Sequence, residues 1–346
     1  MAEANPIKTD KRCFCTACLY LWGKIMKLEQ RTLRWCAGLI LAAVFLRLVG
    51  SGALEPLSRL LARPETVSLL MFMETGKVVR PIQLSQETVP TETLGPSIPE
   101  KASFSQEDAD LVQVNSLCGY DVDLAEMLAA PLSLSLKGDE PTVLILHSHA
   151  TESYTKTEDY QESTAYRTLD ENYNMVSIGQ EIARVLEEGG IKVLHDQSLH
   201  DHPSYSDAYG NSRRSIAAYL EQYPSIQLVL DIHRDAVEGA GGKQIGYTTQ
   251  VDTETAAQVM LVVGSDVSGA THPDWAENMA LAVKLHAQLE KTAPGICRPI
   301  SFRSQRFNQD QSHGAMLLEI GSAGNTRQEA LSAARITAQA ILAMAE

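Results

Sequence analysis

Short apolar runs at residues 143–149, 191–195, 226–232, 258–263 and 315–320 alternate with longer stretches of helical spacing, and this alternation constrains the fold more than any other feature. A strand buried on both faces reads as a nearly unbroken apolar run, and such strands belong to parallel sheets. Residues 174–186 carry apolar positions at helical spacing and stop at Gly189-Gly190, while residues 205–223 close at Pro224. Another helix is expected from Pro273 to about Thr292, with proline in its first turn. A last one opens at Thr326, where Glu329 completes a capping box. Residues 302–307 read as a further short strand. The expected class is therefore α/β, a mostly parallel sheet flanked by helices on both faces.

The front of the chain is organised differently. Residues 1–50 hold eight Lys/Arg against three Asp/Glu, which leaves 21 basic and 40 acidic groups, a net −19, for the rest. A body that acidic is a poor binder of nucleic acid, whose phosphates need a basic surface, so no nucleic-acid partner is expected. Residues 35–54 are apolar except for Arg47 and just reach the roughly 20 residues of a membrane-spanning helix. Lys24, Lys27, Arg31 and Arg34 precede them, which places the N-terminus in the cytoplasm and the body outside the cell membrane. A cleaved signal peptide is the rival reading, since Ser51-Gly52-Ala53 offers small residues, but the lead-in is long for one.

The expected layout is a basic cytoplasmic head at 1–34 and an anchor at 35–54. A stalk of limited structure follows at 55–140, rich in proline and Ser/Thr, then a catalytic domain at 141–346. Cys13, Cys15, Cys18 and Cys36 fall in the head or the anchor, and Cys118 and Cys297 stand alone outside, so this is no disulfide scaffold.

Two of the apolar runs end in histidines beside carboxylates: His147, His149 and Glu152 after the first, His233 after the third. Zinc in a hydrolytic site takes three protein ligands, mostly His with one carboxylate, and leaves a position for water. His149, Glu152 and His233 form such a set, with His147 competing for the first place and Glu171 for the second. Alternation along a strand puts His147 and His149 on one face. Glu319, ending the run before the last helix, is placed to take the proton of a zinc-activated water. Arg234 is a candidate for binding a substrate carboxylate or an oxyanion, against a surface pair with Asp235; Asp231 and Asp235 are candidates for orienting an imidazole. His195, His200, His202, Asp196 and Asp201 read as a solvated polar loop rather than a second metal site, and His272 and His313 are weaker candidates. No serine stands in a strand-turn-helix elbow.

The segments His147-Ser-His-Ala-Thr-Glu-Ser-Tyr154, Asn174-Met-Val-Ser-Ile-Gly179, Ser204-Tyr205, Asp231-Ile-His-Arg-Asp-Ala236, Val262-Val-Gly-Ser265, Arg306-Phe-Asn-Gln309 and Glu319-Ile-Gly-Ser-Ala-Gly-Asn325 closely resemble the stage II sporulation protein P family. The resemblance implies a membrane-anchored peptidoglycan hydrolase of endospore-forming bacteria. Its implied cuts are the N-acetylmuramoyl-L-alanine amide and peptide cross-links, made during engulfment alongside sporulation proteins D and M. More distantly the chain is similar to zinc N-acetylmuramoyl-L-alanine amidases. Their pattern, carried over, falls on His149 or His147, Glu171, His233 and a catalytic Glu319, whereas the His149-x-x-Glu152 spacing resembles zinc carboxypeptidases. The rivals to an amidase are a membrane-tethered wall-binding scaffold without activity and a peptidase confined to cross-link peptides.

Overall fold

The computed structural model describes residues 101–345 except 133, 159 and 161–165. The expected basic head, the anchor and most of the stalk lie outside the described residues. No helix among the described residues is long and apolar enough to cross a membrane.

Seven strands form the main sheet among the described residues: β1 (Val114–Ser116), β2 (Val143–Leu146), β3 (Val193–His195), β4 (Leu228–Asp235), β7 (Val259–Val263), β8 (Ile300–Phe302) and β9 (Ala315–Ser322). Their spatial order is β1-β8-β7-β9-β4-β2-β3, and every pairing is parallel except β7 with β9. The sheet is thus two parallel blocks of opposite direction joined at the β7–β9 seam. The C-terminal ends of β9, β4, β2 and β3 meet at one edge, where ligands bind in open α/β sheets.

Helices cover both faces, as the alternation predicts. On one face α2 (Met175–Glu188), α4 (Trp275–Thr292) and α5 (Arg327–Met344) pack side by side, with the short α1 (Leu124–Ala129) against α4. They bury Ile178, Ile182, Leu285 and Ile341 against Ile145, Leu230, Ile232 and Leu318 of the sheet. On the other face Ile216 of α3 (Ala208–Gln222) packs on Leu144, Leu146 and Val229. Alternation along β4 therefore sends Leu230 and Ile232 toward α2, and Asp231 and His233 toward α3.

The local signals explain the boundaries. Asn174 caps α2 by accepting from the Val176 amide at 3.0 Å. Thr326 and Glu329 form the expected capping box, the Thr326 amide donating to Glu329 Oε2 at 2.9 Å. The α4 helix starts at Trp275 behind Asp274, so Pro273 lies just outside it rather than in its first turn. The strand expected at 302–307 is instead Ile300–Phe302: the chain bends at 304–305, and Phe307 (φ 50°) and Asn308 (φ 59°) then turn left-handed.

Part of the segment expected as stalk is integral to the described body. β1 extends the sheet beside β8, and Val112, Leu128, Leu134 and Leu136 are buried in the main core. Its apolar residues are sparse and irregular in sequence because they fill gaps around α4 rather than form a continuous face. A hairpin of β5 (Thr248–Val251) and β6 (Glu254–Ala257), turning at Asp252 (φ 53°), was also not legible; its Ala256 and Ala257 are buried in the core that α5 shares.

Behind β9 the chain is pinned by main-chain contact. A Cβ on Gly324 would stand 2.4 Å from the Gly246 nitrogen, and one on Gly246 would stand 2.7 Å from the Gly324 oxygen. Neither backbone can yield as a flexible side chain would. Gly324→Ala should destabilise the protein by about 1–3 kcal/mol, read as a lower urea midpoint at unchanged m-value; an unchanged midpoint would contradict this packing.

Candidate metal centre

The strand β2 ends at Leu146, and its alternation persists two residues further. His147 consequently points toward α2, and Ser148 toward α3, where its hydroxyl meets that of Ser212 at 2.7 Å. The chain then turns, the Glu152 amide donating to the His149 carbonyl at 3.1 Å, and this turn swings His149 over to the α3 side. His233 reaches the same place directly along β4.

The result is a compact set. His149 Nδ1 lies 3.7 Å from Glu152 Oε1, and His233 Nδ1 lies 3.6 Å from Glu152 Oε2. One ligand atom from each of the three falls within 4.8 Å of the others. These separations exceed hydrogen-bond range. Two ligands held about 2.0–2.1 Å from a tetrahedral zinc stand roughly 3.3 Å apart. The donor set and its spacing therefore fit a zinc-type ion, with both imidazoles presenting Nδ1 to the same gap.

The surroundings fix each of the three side chains. Behind His233, Asp231 Oδ1 stands 2.9 Å from Nε2, a close charge contact whose N–H direction misses hydrogen-bond alignment. Asp231 also accepts from the Ser148 amide at 2.7 Å and its hydroxyl at 2.6 Å. Burial would raise this carboxyl, but His233 and Ser148 overcome it and hold Asp231 at about 2. Burial likewise opposes ionisation of Glu152, yet Arg234, His233 and His149 bring it down to about 2. Burial would lower His233, but Asp231 and Glu152 carry it well above its ordinary value. Burial lowers His149 against the attraction of Glu152.

Glu319 stands in register with His233 on the adjoining strand and shares its face. The residue is partly exposed, while its Oε2 is buried without a hydrogen-bond partner. Burial, with Glu152 adding to it and His233 opposing, raises its carboxyl to about 8.

Other expectations need correction. His147 is not in the ligand set: its Nδ1 is 3.0 Å from the Ile232 carbonyl and its Nε2 2.8 Å from His195 Nε2, the pair lying under Gly179 of α2. Burial keeps both rings neutral, lowering His147 to about 3 and His195 to about 4. Glu171 is exposed and lines a groove of about 360 Å³ with Ser177, Gln180 and Arg327, on the side of α2 and away from the ligands. Arg234 is only 6% exposed and faces inward, with Nε donating to the Ser153 carbonyl and Nη2 to that of Tyr166, both at 2.9 Å. Its Nη1 is 3.5 Å from Glu152, so it holds that carboxylate and the loop around it; Asp235 pairs with Arg298 at 2.7 Å instead.

The loop expected to be solvated is buried at Asp196, His200 and Asp201. Asp201 accepts from the Thr151 hydroxyl at 2.6 Å and from Arg167 at 2.9 Å, which braces the His149–Glu152 turn. Asp196 and His200 pair with each other at 3.2 Å. His313 makes an exposed contact with Glu277, 2.5 Å away, and Asp274; His272 is buried.

Sequence reasoning gave no role to Tyr205, Tyr209 or Arg167, although Tyr205 lies in one of the segments that carry the resemblance. Tyr205 stacks on His149 at 4.4 Å and lies under Arg167 at 4.3 Å, while Tyr209 meets His149 edge-on at 5.3 Å. The two tyrosines are four residues apart at the start of a helix, a same-face spacing that was available as a signal. Arg167 lies in a loop and gave none.

A family model described as Stage II sporulation protein P (SpoIIP) matches residues 63–342. The chain belongs to that family. A stage II sporulation protein P from Bacillus subtilis (strain 168) is 27% identical over 216 residues, 58% of this chain and 50% of that protein, so the match spans about half of the relative's length. Among solved structures, an N-acetylmuramoyl-L-alanine amidase from Clostridium difficile 630 covers 59% of this chain and 96% of its own, at 13% identity and a TM-score of 0.33. An N-acetylmuramyl-L-alanine amidase from Mycobacterium abscessus covers 60% and 99%, at 13% identity and a TM-score of 0.35. Scores of that size carry no argument about site or activity.

The raised Glu319 carboxyl has a consequence for the metal-free protein. Its folded value of about 8 exceeds the ordinary 4.5, so between these pH values the folded state holds a proton that the unfolded chain has lost. This contribution makes stability fall as pH rises from about 4.5 through 8. In chelator, Glu319→Gln should therefore gain stability relative to the parent as pH rises through that window; parallel stability–pH curves for the two proteins would refute the assignment.

Proposed function

We propose that this protein is a zinc-dependent peptidoglycan hydrolase that cleaves the amide between N-acetylmuramic acid and L-alanine in the walls remodelled during sporulation. The observation that carries this reading is the His149–Glu152–His233 set with Glu319 in register beside it, at the carboxyl edge of the sheet. Membership of the stage II sporulation protein P family supports the wall as substrate. Cleavage of peptide cross-links belongs to the same chemistry, since both bonds are amides.

Zinc held by His149, Glu152 and His233 would lower the pKa of water toward neutrality. The chain's own residues do the rest. Asp231 orients His233, Arg234 keeps Glu152 ionised, and Arg167 helps to hold it in place. Glu319 takes the proton of the attacking water and delivers it to the leaving nitrogen. Positive charge held by the neighbouring set works against the burial that raises Glu319, which favours the ionised base.

The full chain incubated with purified sacculi should release peptides with a free L-alanine amino terminus and leave muramic acid with a free lactyl carboxylate, identified by mass spectrometry. Chelation should stop release, and zinc restore it. His149→Ala or His233→Ala should lose bound metal and at least 100-fold in rate, whereas Glu171→Ala should keep both. Binding to sacculi with no cleavage would favour a scaffold, and cleavage at cross-links alone a peptidase.

The reading includes an anchor at residues 35–54, with the described body outside the membrane, on the strength of the basic residues that precede that apolar stretch. A membrane-impermeant thiol reagent applied to intact cells should label Cys118 and spare Cys13, Cys15 and Cys18. The reverse pattern would overturn this orientation.

A further inference from the structure

Hydrolysis of an amide places negative charge on the carbonyl oxygen as the water oxygen bonds to carbon, and a prepositioned donor aimed at that oxygen is worth two to three orders of magnitude in rate. The cations beside the ligand set are already engaged. Arg234 is spent on Ser153, Tyr166 and Glu152, and Arg167 on Asp201, Thr151 and Glu152.

Tyr209 is placed differently. Its ring meets His149 edge-on at 5.3 Å and lies nearly parallel to His233, 14° apart at 6.4 Å, so it flanks both imidazoles of the set. The side chain is only partly buried, and among the described residues its hydroxyl has no hydrogen-bond partner. Its main chain is held by Asn308, whose Nδ2 donates to the Tyr209 carbonyl at 2.9 Å and to Ser212 Oγ at 3.1 Å. That asparagine follows Phe307 in the left-handed turn, and Phe307 packs on the Tyr209 ring at 6.0 Å. Two consecutive left-handed residues other than glycine are costly, and such strain clusters at functional sites. A phenol hydroxyl is a hydrogen-bond donor at neutral pH.

We propose that the Tyr209 hydroxyl is a catalytic residue of this centre, donating a hydrogen bond to the carbonyl oxygen of the scissile amide as charge develops there. It rests on the hydrolase reading above. In the step, the water oxygen bonds to the carbonyl carbon, Glu319 receives the proton, and the C=O π pair moves onto the oxygen held by the Tyr209 hydroxyl. As the C–N bond breaks, that pair returns and Glu319 passes its proton to the nitrogen. Tyr209 gives up no proton.

The test uses the full zinc-loaded chain on a soluble N-acetylmuramoyl-peptide, with a phosphinate analogue of the scissile amide as transition-state mimic. Tyr209→Phe should lower kcat roughly 100-fold with KM and zinc content unchanged, and weaken the phosphinate by a similar factor. Phe307→Leu, which alters the ring's support but keeps the hydroxyl, should cost much less. Unchanged kcat, a change in KM alone, or loss of zinc in Tyr209→Phe would each overturn the assignment. An unaltered protein that cleaves no amide would instead sink the hydrolase reading itself.

Discussion

The parallel register of β4 against β9 is the constraint on which the centre depends. It sets His233 beside Glu319 on one face, at a separation fixed by backbone hydrogen bonding rather than by side-chain conformation. Slipping either strand by one residue would send one of the two through the sheet to the α2 face. The other two contributors, His149 and Glu152, come from a turn, and that turn is held by polar contacts: Asp201 and Arg167 on one flank, Arg234 on the other. A rigid half and a braced half thus meet at the gap between the imidazoles.

The same neighbourhood drives its carboxylates apart. Glu152 faces Arg234, Arg167 and two imidazoles and is held at about 2, while Glu319, with a buried oxygen and no partner, rises to about 8. Divergence of this kind separates a group suited to holding a cation from one suited to moving a proton. The difference comes from placement, since both are glutamates at the end of the same sheet.

Much of this was legible in the chain because the strands are buried on both faces and the helices between them are amphipathic. The runs at 143–149, 226–232 and 315–320, the Thr326–Glu329 cap and His233 follow from period and position, and His149 from its place at the end of a run alone. The failures have one physical origin, which is that period says nothing once a strand ends. His147 kept the alternation and turned away; His149 broke it and turned in. Arg234 looked available because engagement by a distant loop, the one carrying Glu152, Ser153 and Tyr166, leaves no trace in local pattern. The early strand and helix, β1 and α1, were hidden because three- and six-residue elements carry too few positions for a period to register.

The paired glycines at 246 and 324 have an effect beyond compactness. Where two stretches of main chain touch with nothing between them, no rotamer is available to absorb displacement. The loop that leaves β4 and the bend that leaves β9 therefore act as one mechanical piece, joined also by the Asn325 side chain donating to the Tyr247 carbonyl at 3.1 Å. Lengthening or shortening the segment between Ala236 and Tyr247 would be felt at Glu319 as a shift of its backbone.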